Sequence, residues 1–415
     1  MSTWRSPLTL AGGLLLAFLT AGPVSAADDD DEEDDAVPAT ACERQASEDG
    51  EDVPARALRH SSGNSCFALG GDLSFGQQRV PSARMQGLPI LLTPRGQSVS
   101  GDATNTVQAV IRMDWNSFTD MGRLGVSTEL NWVRATGDGT RFGSVQLNRL
   151  MGRIGPIQGG YGDSITGFFA APIEASAFVP KRSVGLISYE QKLSESAALT
   201  AAIETGPVLR SLNGRLVPIA LDQRPYFALR WLQTLDWGEV HLAAVATNRR
   251  ISASVQRPDG RSALGYALTA GIRAQFEVLG QQDEASLQMT YADNAVSYLG
   301  AALDLGGVAG RVAQAIEARG TSGTAAYTRN WTSQWSSTVF GSIVNVVAAR
   351  GEADPKIRSL RYGGNLVWKP LEGLSLGVEL SRQRVNLNVN PAVLNASRRI
   401  SSESTILSLT VQATF

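Results

Sequence analysis

The chain has 415 residues, with 37 Lys+Arg against 39 Asp+Glu, a formal charge of −2, two histidines and two cysteines. Its hydrophobic fraction is 43% and its mean hydropathy −0.07, which excludes a charge-swollen disordered chain and a bundle of membrane helices. The near-neutral balance, with no basic stripe carrying stacking aromatics, also argues against a nucleic-acid partner.

Residues 1–26, MSTWRSPLTLAGGLLLAFLTAGPVSA, carry one positive charge at Arg5, an apolar stretch from Leu8 to Thr20, and small residues Val24, Ser25 and Ala26 before a cut. About 13 apolar residues fall short of the roughly 20 that span a bilayer, so this segment is expected to be a secretory signal peptide. Residues 27–66 follow as an acidic N-terminal segment. Its run Asp28–Asp35, DDDDEEDD, sets like charges side by side and is expected to be a solvated arm. A weak Ca²⁺- or envelope-binding tail is the sharper alternative, but the spaced ligands and glycine turn of a calcium loop are missing.

Cys42 and Cys66 are the only cysteines. In an exported chain they are expected to form a disulfide, and closing a loop of this size stabilises by about 3 kcal/mol in the chain-entropy model. The spacing suits no metal site, and no histidine pair accompanies it. Residues 67–415 carry 33 basic and 26 acidic side chains, or +7. The acidity of the chain therefore sits in its N-terminal segment and the body is basic.

From residue 67 onward, period-two alternation broken by Gly, Pro, Asn, Asp and Ser predicts strands over 67–76, 106–117, 121–134, 142–150, 153–162, 184–193, 197–206, 225–235, 238–249, 264–279, 285–292, 322–331, 335–349, 361–369, 374–386 and 404–415. Links after the even-numbered strands are short, such as Ser194–Ser196, Asp236–Gly238 and Pro370–Gly373. Links after the odd-numbered ones are long: 77–105, 135–141, 163–183, 207–224, 250–263, 293–321, 350–360 and 387–403. Sixteen strands, short turns on one rim and long loops on the other predict an all-β fold. It is a transmembrane antiparallel β-barrel with periplasmic turns and extracellular loops.

Alternation assigns the faces. In TVQAVIRMDW, Val107, Ala109, Ile111, Met113 and Trp115 are expected outside, with Gln108, Arg112 and Asp114 in the lumen and Val110 as an exception. In LGYALTAGIRAQFEV, the outward set runs from Leu264 to Val278 and the inward set includes Arg273, Gln275 and Glu277. LSLGVEL places Leu374, Leu376, Val378 and Leu380 outside, and HLAAVA places Leu242, Ala244 and Ala246 there. Trp115, Trp132, Trp231, Tyr291 and Trp368 fall toward strand ends, as interfacial girdles require.

Several strings then resemble a known family. SIVNV after WTSQWSSTVFG, NLVWKPLEGLSLGVEL (Asn365 to Leu380), LQMTYADNAVSYLG (Leu287 to Gly300) and the last strand ending on Phe415 resemble, in patches from Cys66 onward, the rhizobial-type porins of alphaproteobacteria. The resemblance implies a sixteen-stranded trimeric general porin in the outer membrane of a Gram-negative bacterium, with an N-terminal cysteine pair and a third loop folded into the pore. It also implies that Phe415 is read by the barrel-assembly machinery. The chain departs from the family between its cysteines, where ERQASEDGEDVPARALRHSSGNS replaces an aromatic, Pro-Gly-rich stretch.

The third long connection, residues 163–183, is the expected constriction. Phe168, Phe169 and Phe178 would pack it on the wall, while Asp163 and Glu174 present negative charge to basic lumen residues. An ordinary surface loop with incidental aromatics is the alternative. Arg112, Arg123, Arg230, Arg273 and Arg361, with Asp114, Glu129, Glu204, Glu277 and Glu379, are placed inside by alternation. An Arg facing lipid near mid-membrane costs about 2–4 kcal/mol, which supports that placement. The +7 body leaves solute preference open, because lipopolysaccharide phosphates at the outer rim would use the same basic residues.

An outer-membrane hydrolase would need a nucleophile beside a base, and only His60, in the cysteine-flanked segment, and His241, beside Glu239, are available; a Ser–His arrangement on His241 is the alternative to its expected place as a wall or girdle histidine. No GxSxG, HExxH, Walker or dinucleotide fingerprint appears in the required context. About 40 residues precede the first predicted strand, too few for a transporter plug. The sequence is therefore read as a passive channel for small hydrophilic solutes and ions, with no cofactor or metal. A non-conducting barrel for adhesion or envelope anchoring is the alternative, and outer-membrane lipid and lipopolysaccharide are the expected surroundings.

Overall fold

The computed structural model of the chain describes Cys42 and residues 58–86, 103–120, 122–137, 140–168, 183–205, 209–212, 215–218, 225–250, 262–300, 318–348, 356–389 and 398–415. The signal segment, the acidic run, Glu174, Phe169 and Phe178 lie outside the described residues.

Nineteen strands are present among the described residues. The first seven are β1 (Leu58–Ser62), β2 (Ser65–Gln86), β3 (Ala103–Thr119), β4 (Gly122–Gly137), β5 (Thr140–Ile154), β6 (Ile157–Asp163) and β7 (Ser183–Ser194). Next come β8 (Ala197–Thr205), β9 (Leu209–Leu212), β10 (Arg215–Pro218), β11 (Tyr226–Leu235), β12 (Gly238–Arg250) and β13 (Ser262–Val278). The last six are β14 (Gln281–Asp293), β15 (Ala318–Asn330), β16 (Trp335–Ala348), β17 (Lys356–Leu371), β18 (Leu374–Val389) and β19 (Arg398–Thr414).

Strands β2 to β8 and β11 to β19 pair antiparallel in sequence order, and β19 returns to β2, closing a sixteen-strand barrel. Closure gives every wall strand two partners, which a bilayer demands because it offers no water to an unpaired N–H or C=O. The sixteen predicted strands correspond one for one to the sixteen of the wall. β9 and β10 form a separate hairpin within the long connection from β8 to β11, which alternation had not revealed. β1 is also additional. It pairs with Ser65–Leu69 of β2, just past the point where Phe415 exchanges backbone hydrogen bonds with Gly71. β1 thus continues along β2 the line that β19 leaves. Cys42 and Cys66 are joined by a disulfide, packed against Phe118.

Two predicted connections are corrected. The break expected at Met151–Gly152 falls instead at Gly155–Pro156, where Gly155 takes φ +54°, and Met151 continues the strand, paired with Gly160. The connection expected at 135–141 is tight, because Gly137 already pairs with Thr140. Asp138-Gly139 is the dipeptide that two-residue hairpins prefer.

The outer face is apolar. Ile111, Leu229, Leu242, Leu268, Met289, Val339 and Leu380 are exposed on it. One aromatic belt lies toward the turns, with Trp115, Phe276, Tyr327, Trp335 and Trp368, and Trp335 stacks on Trp368 at 5.7 Å. A second lies toward the loops, with Trp132, Phe227, Tyr266 and Tyr291. From Tyr266 to Phe276 the strand runs about 33 Å, or about 25 Å of depth at a tilt of about 40°, which matches a barrel's hydrocarbon band.

Candidate functional site

The inner face divides into two territories. On the first, β2 to β8 with β11 and β19 line a cavity of about 1080 Å³ whose walls carry charge. Arg112 (β3) is held between Asp72 (2.7 Å) and Glu129 (3.2 Å), and Glu129 also accepts from Asn148 Nδ2 at 2.8 Å. Asp72 is fixed in turn by Thr414 Oγ1 at 2.7 Å and Gln412 Nε2 at 3.1 Å, both from the last strand. Further along, Arg230 donates to Glu190 at 3.2 Å and to Thr200 at 3.0 Å, and Arg123 donates to Asn116 Oδ1 at 2.7 Å.

Strand β5 adds to this wall through a bulge. Glu129 pairs with Arg149 and Leu130 with Leu147, so Asn148 is the extra residue. Val145, Leu147, Leu150 and Ile154 remain outside while Asn148 and Arg149, consecutive in sequence, both line the cavity. A bulge re-aims side chains in this way at the cost of one ladder position. Arg153, two residues past Met151, lines the cavity as well.

Of the residues singled out by sequence, Arg112, Asp114, Arg123, Glu129, Asp163 and Arg230 line this cavity together. Arg273 does not. It pairs with Glu239 at 3.1 Å on the neighbouring wall. Glu277 is exposed, one residue from the end of β13 and away from the cavity. Arg361 pairs with the fully buried Glu379 at 3.5 Å between β17 and β18. Sequence reasoning missed Asp72, Glu190, Arg149 and Arg153. Asp72 and Glu190 were within reach, since Leu73 and Tyr189 are evident outward neighbours.

The second territory is the inner wall toward the loop rim, from β8 to β16. It is rich in apolar residues: Ala202, Tyr226, Ala228, Val245, Ala267, Ala292, Ala318, Val344 and Val346 are all buried, with Glu204, Thr247 and Thr290 buried among the polar ones. Two connections cover them. After β14 the chain bends inward through a single 3₁₀ turn, Val296–Tyr298, burying Ala295, Val296, Tyr298 and Leu299 against that wall. After β6, Ser164, Ile165 and Thr166 are buried too, with Ile165 in the same cluster.

The start of the third long connection therefore lies inside the barrel. Ser164 Oγ and Ile165 N–H donate to Glu204 of β8 at 2.9 and 3.0 Å. Three residues on, the Phe168 ring meets His241 of β12 edge-on at 4.9 Å, beneath the Arg273 guanidinium at 5.6 Å. Its seat is Gly271 of β13, where any Cβ would overlap the Phe168 ring. The chain between Ser164 and Phe168 is a tight turn, in which Gly167 N–H donates to the Ser164 carbonyl at 3.1 Å. His241 is fully buried under this ring, and neither of its nitrogens has a hydrogen-bond partner among the described residues. This histidine is a wall residue beneath an aromatic side chain, in the position read for it from the sequence.

No family model and no curated protein sequence matches the chain. Solved structures do. The chain is similar to the outer membrane channel DcaP of Acinetobacter baumannii, with a TM-score of 0.60 and 13% identity over 85% of this chain and 98% of that one. It is also similar to OprB of Pseudomonas putida, with a TM-score of 0.52 and 8% identity over 84% and 94%. OmpT of Vibrio cholerae gives a TM-score of 0.50 and 9% identity over 86% and 100%. At such identities the likeness bears on the backbone alone, and what it establishes is that this chain has the closed sixteen-strand barrel fold of outer-membrane channels.

Proposed function

We propose that the chain is a passive diffusion channel for small hydrophilic solutes and ions, resident in the outer membrane of a Gram-negative bacterium. The observation that carries this reading is the pairing of an apolar, aromatic-belted exterior with an internal cavity of about 1080 Å³ lined by charged side chains. Charges such as Arg112, Glu129 and Arg230 are only partly exposed, yet they line space rather than packed atoms, so water and ions are their natural contacts. Fixed charges of both signs along one wall orient passing solutes and set ion preference without chemistry on them. The rhizobial-type porin likeness of the sequence supports the same reading, together with assembly as a homotrimer and recognition of Phe415 during insertion. Lipid and lipopolysaccharide are the surroundings it implies.

The test is planar-bilayer recording on the purified, detergent-solubilised protein. Stepwise conductance that scales with salt is expected. Silence at protein densities where the barrel is demonstrably inserted would favour the anchoring role instead.

A further inference from the structure

Glu204 has the only carboxylate among the described residues that receives hydrogen bonds from both inward-folded connections. One oxygen accepts the Ile165 N–H at 3.0 Å; the other accepts the Tyr298 hydroxyl at 2.8 Å; Ser164 Oγ stands 2.9 Å from each. The residue is fully buried on β8, and Tyr298 is 2% exposed with its ring 5.5 Å from that of Tyr226. Neither Glu204 nor Tyr298 lines the charged cavity, whereas Ser164, Ile165 and Gly167 do. A buried carboxylate is tolerated only while its hydrogen bonds are made. The position of the cavity's lining segment is thus bound energetically to a tyrosine in a different loop, 134 residues further along the chain.

We propose that Glu204 is a shared positioning residue for the passage, coupling the loop after β14, through Tyr298, to the segment after β6 that borders the conducting space. The inference rests on the channel reading above. Tyr298 does not line the cavity; its hydroxyl reaches the lining segment through Glu204, while its ring shares an apolar cluster with Ile165, and Tyr298→Phe alters the first and keeps the second.

The experiment is single-channel recording on wild type, Tyr298→Phe, Glu204→Gln and the double variant. Each is first shown to be folded by its compact migration on unheated gels. Tyr298→Phe removes one hydrogen bond to a charged group and is expected to change the open-to-closed dwell ratio by about tenfold. In the Glu204→Gln background the same substitution is expected to change it much less, because the shared acceptor is already altered. A conducting wild type whose dwell ratio is indifferent to Tyr298→Phe, or shifts equally in both backgrounds, overturns the coupling and leaves the channel reading standing. A silent wild type overturns both. Ser164→Ala supplies an independent check from the lining side, since it should shift the dwell ratio in the same direction as Tyr298→Phe.

Discussion

The two inner walls of this barrel face the same interior and obey different rules. Around Arg112, charged side chains are matched across strands and left in contact with open space, as Asp72, Arg112 and Glu129 show. Around Val344, 0% exposed, the wall is uncharged, with Val346 and the cross-strand partners Ser322 and Ser359 buried beside it, and returning chain covers the cluster it belongs to. Inward thus does not mean wet. The charged wall bounds the cavity, and the other wall carries the described parts of two inward-folded connections.

The largest effect follows from putting a charge on the wrong wall. Val344→Asp leaves a carboxylate in the covered cluster, where Arg361, the inward cation of the adjacent strand, is already paired with Glu379, and should destabilise the barrel by about 3–5 kcal/mol, in the range of an uncompensated buried charge. Ser127→Asp adds the same group to the cavity wall, where Ser127 is half-exposed, and should cost under about 0.5 kcal/mol. Urea midpoints for the two variants decide the matter, and equal losses would erase the distinction between the walls. A smaller effect is expected at the junction. Gly271→Val pushes the Phe168 ring off its seat, costing about 1–3 kcal/mol by overpacking. It should also lower single-channel conductance as the segment moves toward the cavity. Phe168→Ala in that background should restore much of the lost stability, provided the ring is the obstacle.

Whether a sequence discloses such a division depends on which signal it leaves. Alternation was sufficient for the wall, because each strand must present an oily face to acyl chains: Ile111, Trp115, Leu268 and Leu380 are outside as their spacing required. It was insufficient where both faces are apolar. Leu242 to Ala246 is an unbroken apolar run with Ala243 and Val245 buried inside, which is the pattern of a strand covered on both sides. That pattern announces that something folds over it without saying what. Val296, Tyr298 and Leu299 lie in a string that reads as a loop, and nothing local shows that a tyrosine there will meet a carboxylate 94 residues earlier. The bulge at Asn148 likewise escapes period-two reasoning, because it is a break in the period itself. By contrast Arg112, Glu129 and Arg230 are inward by alternation and line the cavity, and finding their partners required the closed barrel.

The subtlest test compares two arginines of equal charge on the two walls. Arg112→Gln should barely alter stability, by about 1 kcal/mol or less, because the pairs it breaks are partly exposed. It leaves Asp72 and Glu129 unmatched beside the cavity, so the reversal potential in a KCl gradient should move toward cation preference. Arg273→Gln also strands a carboxylate, Glu239, but neither residue lines the cavity. Its shift should be smaller at the same salt, and any effect on Phe168 should appear as channel noise rather than selectivity. Raising the salt from about 0.1 M to about 1 M shortens the screening length from about 10 Å to about 3 Å and should shrink the Arg112→Gln shift steeply. Equal shifts for the two variants at low salt would mean that the solute path runs along the covered wall as well, and that its apolar cladding opens during conduction.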